Sequence, residues 1–108
     1  MVKRFEIYFI DLNPTIGSEI SKIRPCVIVS PNEMNNALNT VIIAPAYFYD
    51  KGIPMRINCK VDGKKGQIVL DYLRSIDKRR LKVKLTNLDK YTQYEIIEKL
   101  LNMFGSVQ

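Results

Sequence analysis

The chain has no histidine, no tryptophan and only two cysteines, and no apolar run reaches membrane-spanning length. Without histidine, the commonest general acid and base is missing, and so are the usual Ser-His and Cys-His nucleophile pairs. Cys26 and Cys59 supply no disulfide framework and do not match the paired spacing of a zinc site. Both stand in strand-like segments and read as buried thiols in a reducing compartment. There is no Gly-rich phosphate cradle, and the acidic residues do not gather at a metal-binding spacing, so neither a cofactor nor a metal is expected. The segment MVKRFEIYF shows neither a long apolar stretch nor a small-residue cleavage site, which points to the cytoplasm and away from membranes.

What is present suits a small folded protein. The 108 residues are 46% hydrophobic, enough for one domain over 1–108 with a true core. Such a domain buries a modest share of its surface, and without disulfide or metal staples self-association as a homodimer is expected. Seventeen Lys and Arg against eleven Asp and Glu leave a net charge of +6, which favours a polyanionic partner. Lys78, Arg79, Arg80, Lys82 and Lys84 form a dense basic cluster, with Lys64 and Lys65 as a second group.

Patterning along the chain predicts a mainly β (α+β) fold. Residues 5–12, 25–30, 40–44 and 55–61 read as strands, the last with Ile57, Cys59 and Val61 alternating against Arg56, Asn58 and Lys60. Asn13-Pro14 opens a loop with Gly17, residues 31–39 suit a turn or short helix, and Asp62-Gly63 marks a hairpin. The short runs 67–70 and 73–76 break at Asp71-Tyr72, a bend that aims a side chain out of the sheet. A capping box from Thr92 to Glu95 starts the one long helix, whose apolar face carries Ile96, Ile97, Leu100, Leu101 and Phe104.

The chemistry centres on Arg24. It stands between Ile23 and Pro25 at the mouth of a buried strand, after the loop bearing Gly17, Ser18 and Glu19. A guanidinium placed there can hold a phosphate through two parallel hydrogen bonds and stabilise charge on a transferring phosphoryl group. The plainer reading pairs it with a carboxylate to shape the loop.

The stretches DLNPTIGSEISKIRPCVIVSP, TVIIAP, KGIP and VLDYLRSIDKRRL resemble, in order and spacing, the MazF/PemK/Kid family of toxins over nearly the whole chain. The resemblance implies an SH3-like small β-barrel with short helices and a C-terminal helix. It also implies a homodimer, a small antitoxin with an acidic disordered segment, and metal-independent cleavage of single-stranded RNA. In that chemistry the ribose 2′-hydroxyl attacks phosphorus and leaves a 2′,3′-cyclic phosphate and a 5′-hydroxyl. Arg24 matches the family's catalytic Arg.

Asp71 matches an acidic position proposed as general base, provided that its surroundings raise its pKa, and Glu19 is the competing base. Where many members carry Thr, this chain has Tyr47, a bulkier hydrogen-bond donor to phosphate or a packing residue beside Phe48 and Tyr49. Tyr72 replaces a common Gln and offers a face for base stacking. Loop residues Asn13, Thr15, Gly17, Ser18 and Lys22 are expected RNA contacts. Arg74 reads as a structural or dimer-interface charge or a phosphate ligand, and Lys78 as part of a basic run that either follows RNA or is simply solvated. Two rival functions remain: a catalytically weak or inactive member that binds RNA or antitoxin, and a gyrase poison of the CcdB type.

Overall fold

The computed structural model describes residues 1–19, 22–47, 56–61, 63–105 and 107. Within them run strands β1 (Glu6–Asp11), β2 (Ile23–Ile28), β3 (Thr40–Tyr47), β4 (Arg56–Val61), β5 (Lys64–Val69), β6 (Arg74–Asp77) and β7 (Leu81–Asn87). Helix α1 (Asn32–Ala37) and helix α2 (Lys90–Phe104) complete the regular structure, with 3-10 turns at Leu70–Tyr72 and Lys78–Arg80. Every strand pair is antiparallel, in the order β4-β5-β3-β2-β1-β7, and β6 also lies on β3. The result is a curled half-barrel, mainly β with a C-terminal helix as the patterning predicted and barrel-like as the resemblance implied.

Alternation along the strands builds two apolar clusters. Ile7, Val27, Ala44, Ile57 and Ile68 pack with Ile96 of α2, while Ile10, Cys26, Ile28, Val41, Ile43 and Ile76 form the other. Successive side chains of a strand point to opposite faces, so each central strand feeds both clusters. Full burial of one such side chain stabilises by about 1.5–3 kcal/mol.

Three expectations are corrected. Asp89, not Thr92, caps α2: its carboxylate accepts the Thr92 N–H at 3.1 Å and the Thr92 hydroxyl at 2.7 Å, placing Thr92 one turn inside the helix. The apolar face of α2 is split, because Ile96 is buried while Leu101 and Phe104 are 65% and 71% exposed. β2 starts at Ile23, so Arg24 is paired inside the strand, opposite Ile10, instead of standing at its mouth.

The two prolines explain where the sheet opens. β2 and β3 pair over Cys26↔Pro45, Val27↔Ala44 and Ile28↔Ile43, and the ladder ends there. Pro25, which would face Ala46 at the next hydrogen-bonded step, has no N–H to donate, and Pro45 lacks one on the other edge of β3, toward β6 and β5. Beyond that point β2 continues on β1 alone, and β3 takes β5 as neighbour through Ala46↔Ile68 and Tyr47↔Gln67. On the same edge β3 also pairs with β6, from Ile43↔Arg74 to Thr40↔Asp77. Between these two stretches the register slips by the three residues of the Leu70–Tyr72 turn, which is extruded beside Pro45. This is the break read in the sequence at Asp71-Tyr72.

The basic cluster mostly serves the fold. Lys78 Nζ donates to the Asn35 carbonyl, Arg79 pairs with Asp77, Arg80 donates to the Asp11 and Asn13 carbonyls, and Lys84 pairs with Glu6 at 2.7 Å. Gly63 takes φ +78° in the predicted hairpin between Val61 and Lys64, while Asp62 lies outside the described residues. So do Phe48, Tyr49 and the KGIP segment. Among the described residues, no helix is long and apolar enough to cross a membrane.

Candidate active site

The site lies where β2 and β3 part. Arg24 and Tyr47 would be the next facing residues but one in the interrupted ladder, on the strand faces that carry Cys26 and Pro45. The Arg24 guanidinium lies over the Tyr47 ring, 4.7 Å from its centre. A cation over an aromatic face at this distance is attracted by the ring quadrupole, which fixes the direction of both side chains.

Beside this pair is a cleft of about 320 Å³ lined by Leu12, Glu19, Pro45, Asp71, Tyr72, Leu73 and Arg74. The extruded turn forms one wall and the loop after β1 forms another. Tyr72 joins them, its hydroxyl donating to the Ser18 carbonyl at 2.9 Å. Arg74 donates to the Leu12 carbonyl at 3.0 Å, consistent with its structural reading. The loop is also tied at its base, where Leu12 N donates to the Lys22 carbonyl and Lys22 N to Asn13 Oδ1. Gly17 holds φ +58°, a conformation that a Cβ disfavours. Glu19 Oε1 accepts the Ile16 N–H at 2.6 Å, so this carboxylate shapes the loop while lining the cleft.

Arg56 is a site residue that the sequence reading missed. It donates to both Asp71 oxygens, at 3.1 and 2.9 Å, in the planar fork that suits a carboxylate. This bond, foremost, holds the Asp71 carboxyl below the usual carboxylate range, although partial burial pulls the other way. The surroundings expected to raise its pKa are therefore corrected: a guanidinium stands where an apolar or anionic neighbour was required. Gln67 and Asn58 were missed too. Gln67 faces Tyr47 across β3 and β5, and its amide donates to Asn58 Oδ1 at 3.2 Å. Alternation had already put Arg56 and Asn58 on the polar side of their strand, but only strand pairing brings them to the site.

The structure thus brings Arg24 together with Tyr47, and Glu19, Asp71, Tyr72 and Arg74 around one cleft, with Asn13, Thr15, Gly17, Ser18 and Lys22 in or bordering the adjoining loop. Lys78 is not among them. It lies beyond the far end of β6, where its ammonium is bonded to the Asn35 carbonyl. Cys26 lies beneath the site, and burial pushes its thiol up to about 12 against the opposing charges of Arg74 and Arg24. Among the described residues, no group of three or more Cys, Asp or Glu side chains could hold a metal ion.

Comparison with known proteins places this arrangement. Residues 3–104 match the family described as PemK-like, MazF-like toxin of type II toxin-antitoxin system. The chain is 31% identical over 106 residues to Endoribonuclease EndoA of Bacillus subtilis (strain 168), covering 93% of this chain and 91% of that protein. Its fold matches the crystal structure of MazF (Form-I) from Deinococcus radiodurans, with a TM-score of 0.85, 23% identity and 97% of each chain covered. It also matches an endoribonuclease in complex with its cognate antitoxin from Mycobacterial species, with a TM-score of 0.82, 21% identity, and 100% and 99% of the two chains covered. An arginine set against the sheet break beside a loop-walled cleft is thus carried by a fold shared along nearly its whole length, and the chain belongs to the PemK-like, MazF-like toxin family of type II toxin-antitoxin systems.

Proposed function

We propose that the protein is an endoribonuclease toxin that cleaves single-stranded RNA without a metal, at the cleft beside Arg24 and Tyr47. The observation that supports it most is the meeting of the Arg24 guanidinium and the Tyr47 phenol at the sheet break, where Pro45 of the same strand walls a cleft that Glu19 and Asp71 also line. In this reading Glu19 accepts the proton of the ribose 2′-hydroxyl, whose oxygen attacks the adjacent phosphorus. Arg24 and the Tyr47 hydroxyl hydrogen-bond to the phosphorane oxygens, where the charge develops. The bond from phosphorus to the 5′-oxygen breaks with its electrons on oxygen, which takes a proton from solvent. The products are a 2′,3′-cyclic phosphate and a 5′-hydroxyl.

Glu19 is assigned as base over Asp71 because Arg56 occupies both Asp71 oxygens. Asp71 then positions the cleft wall through Arg56, and Tyr72 offers a face on which a base stacks. Asn13, Thr15, Gly17, Ser18 and Lys22 contact the RNA along the loop, and Arg74 acts as a structural charge in the wall. A +6 chain suits an antitoxin with an acidic, disordered segment that folds on binding. A cytoplasmic homodimer completes the proposal.

The test is incubation of purified protein with mixed-sequence single-stranded RNA in excess chelator. Cut products ending in cyclic phosphate and 5′-hydroxyl are expected. RNA left intact across many sequences would sink the enzyme reading in favour of an inactive binder.

A further inference from the structure

The β4–β5 ribbon carries a charge arrangement that the site just described does not use. Its register sets Lys60 directly opposite Lys65, and both side chains are exposed. Like charges facing each other across an antiparallel pair destabilise a sheet. No ion pair relieves either lysine among the described residues.

Position gives this arrangement a use. Ile57, Cys59 and Val61 of β4 turn into the core against α2 and β5, so Arg56, Asn58 and Lys60 share the opposite face. Their partners on that face are Val69, Gln67 and Lys65. Gln67 in turn faces Tyr47, which carries Arg24 over its ring. One strand face therefore runs from Arg24 through Tyr47 and the buried Gln67 to the exposed Asn58 and the two lysines. With paired strands about 4.8 Å apart and a rise of about 3.4 Å per residue, Lys65 lies roughly 8 Å from Tyr47 between Cα atoms. Arg24 stands further off, across the gap where β2 and β3 no longer pair, so a strand of several nucleotides and not a single phosphate spans Arg24 and the lysines. Asp71, the carboxylate bordering this face, is neutralised by Arg56, so Lys60 and Lys65 at its far end keep their charge without a carboxylate partner among the described residues.

We infer that Lys60 and Lys65 form a second phosphate-binding step, which grips the backbone of single-stranded RNA on the β4–β5 ribbon away from the scissile bond. This rests on the endoribonuclease reading above. It adds a subsite that confers affinity for longer RNA without touching the reacting atoms.

The experiment compares wild type, a Lys60→Ala/Lys65→Ala double variant and Lys64→Ala. Lys64 belongs to the same hairpin but is paired with Val61 on the opposite face, so it serves as the control. Anisotropy measures binding to a labelled 2′-deoxy-substituted strand that cannot be cut, and kinetics compare a long RNA with a minimal oligonucleotide spanning only the cleaved step. The double variant should bind the long strand about tenfold more weakly, and its log-affinity against log-salt slope should fall by about 1.4, the value for two phosphate contacts on a single strand. KM on long RNA should rise with kcat unchanged, and the minimal substrate should show no difference.

An unchanged affinity and slope in the double variant would overturn the subsite, as would an equal loss in Lys64→Ala. A wild type that binds the strand with the expected lysine dependence but cuts no RNA would overturn the endoribonuclease reading while leaving the subsite in place.

Discussion

The guanidinium of Arg24 rests on the ring of Tyr47, 4.7 Å from its centre, although the two strands that carry these residues stop pairing just before they would meet. Pro25 ends the ladder because it has no N–H for the next hydrogen-bonded pair, and Arg24 and Tyr47 meet just beyond it. The phenol therefore both supports the arginine and presents a hydroxyl beside it.

Arg24→Ala should reduce RNA cleavage on the order of a hundredfold or more in kcat, the cost of losing an oxyanion-stabilising donor. Arg24→Lys restores the charge but not the two-pronged fork, and should stay well below wild type. Tyr47→Phe keeps the ring beneath the guanidinium and removes the donor, so it should fall between wild type and Arg24→Ala. Single-turnover cleavage measures all three, and an undiminished rate for Arg24→Ala would refute its role.

Glu19 and Asp71 should separate in their pH behaviour. Arg56 holds the Asp71 carboxyl below the usual range, so Asp71→Asn should leave the acidic limb of the kcat/KM profile in place, whereas Glu19→Gln should remove most of the cleavage rate. Stability gives the sign independently. A folded-state pKa below the unfolded value of 3.8 means that the pair stabilises above that pH and loses its contribution as pH falls through the folded value. Asp71→Asn should thus lower Tm at neutral pH and converge with wild type in acid. With a carboxylate side chain 41% exposed, the gap at pH 7 should not exceed about 1 kcal/mol.

Asp89→Ala should cost about 1 kcal/mol, because it removes the acceptor for the Thr92 N–H at the start of α2. Thermal unfolding measures the loss. Glu95→Ala should have a far smaller effect, since Asp89 and not a Thr92–Glu95 box provides the cap.

Both cysteines should resist thiol reagents in the folded protein at neutral pH. Burial pushes Cys26 up to about 12, and burial together with Asp89 pushes Cys59 up to about 11. Thiolate is the reacting species, so labelling should be slow until denaturant is added, with Cys59, the less buried of the two, reacting first. Rapid native labelling of Cys26 would contradict the packing described.

Much of this was legible along the chain. Strict alternation at residues 56–61, the apolar runs at 25–30 and 40–44, and the break at Asp71-Tyr72 report local physics, since side chains alternate in a strand and turns need particular residues, while Met55 lies outside the described residues. The cap of α2 was misread because Asp89 and Thr92 are both competent caps, and only the path of the chain out of β7 shows which one is used. The basic run at Lys78–Lys84 read as either an RNA track or a solvated face. Lys78, Arg79, Arg80 and Lys84 instead meet the Asn35, Asp11 and Asn13 carbonyls and the Asp77 and Glu6 carboxylates, partners up to 78 residues away in sequence.

The sequence by itself determined every described strand except β7 (Leu81–Asn87), the long helix and the prominence of Arg24, since an arginine between a Gly-bearing loop and an apolar strand stands out in a chain without histidine. The tertiary structure decided what Arg24 meets. Tyr47 lies 23 positions away, and Arg56 finds Asp71 only because β4 pairs with β5 and the chain then makes an extra turn at Leu70–Tyr72. Local propensities act over a few residues, whereas the electrostatics of a site depend on contacts made across the sheet. The sequence therefore named a candidate phosphate ligand, and the folded sheet supplied its phenol and tied one of the two candidate bases to an arginine.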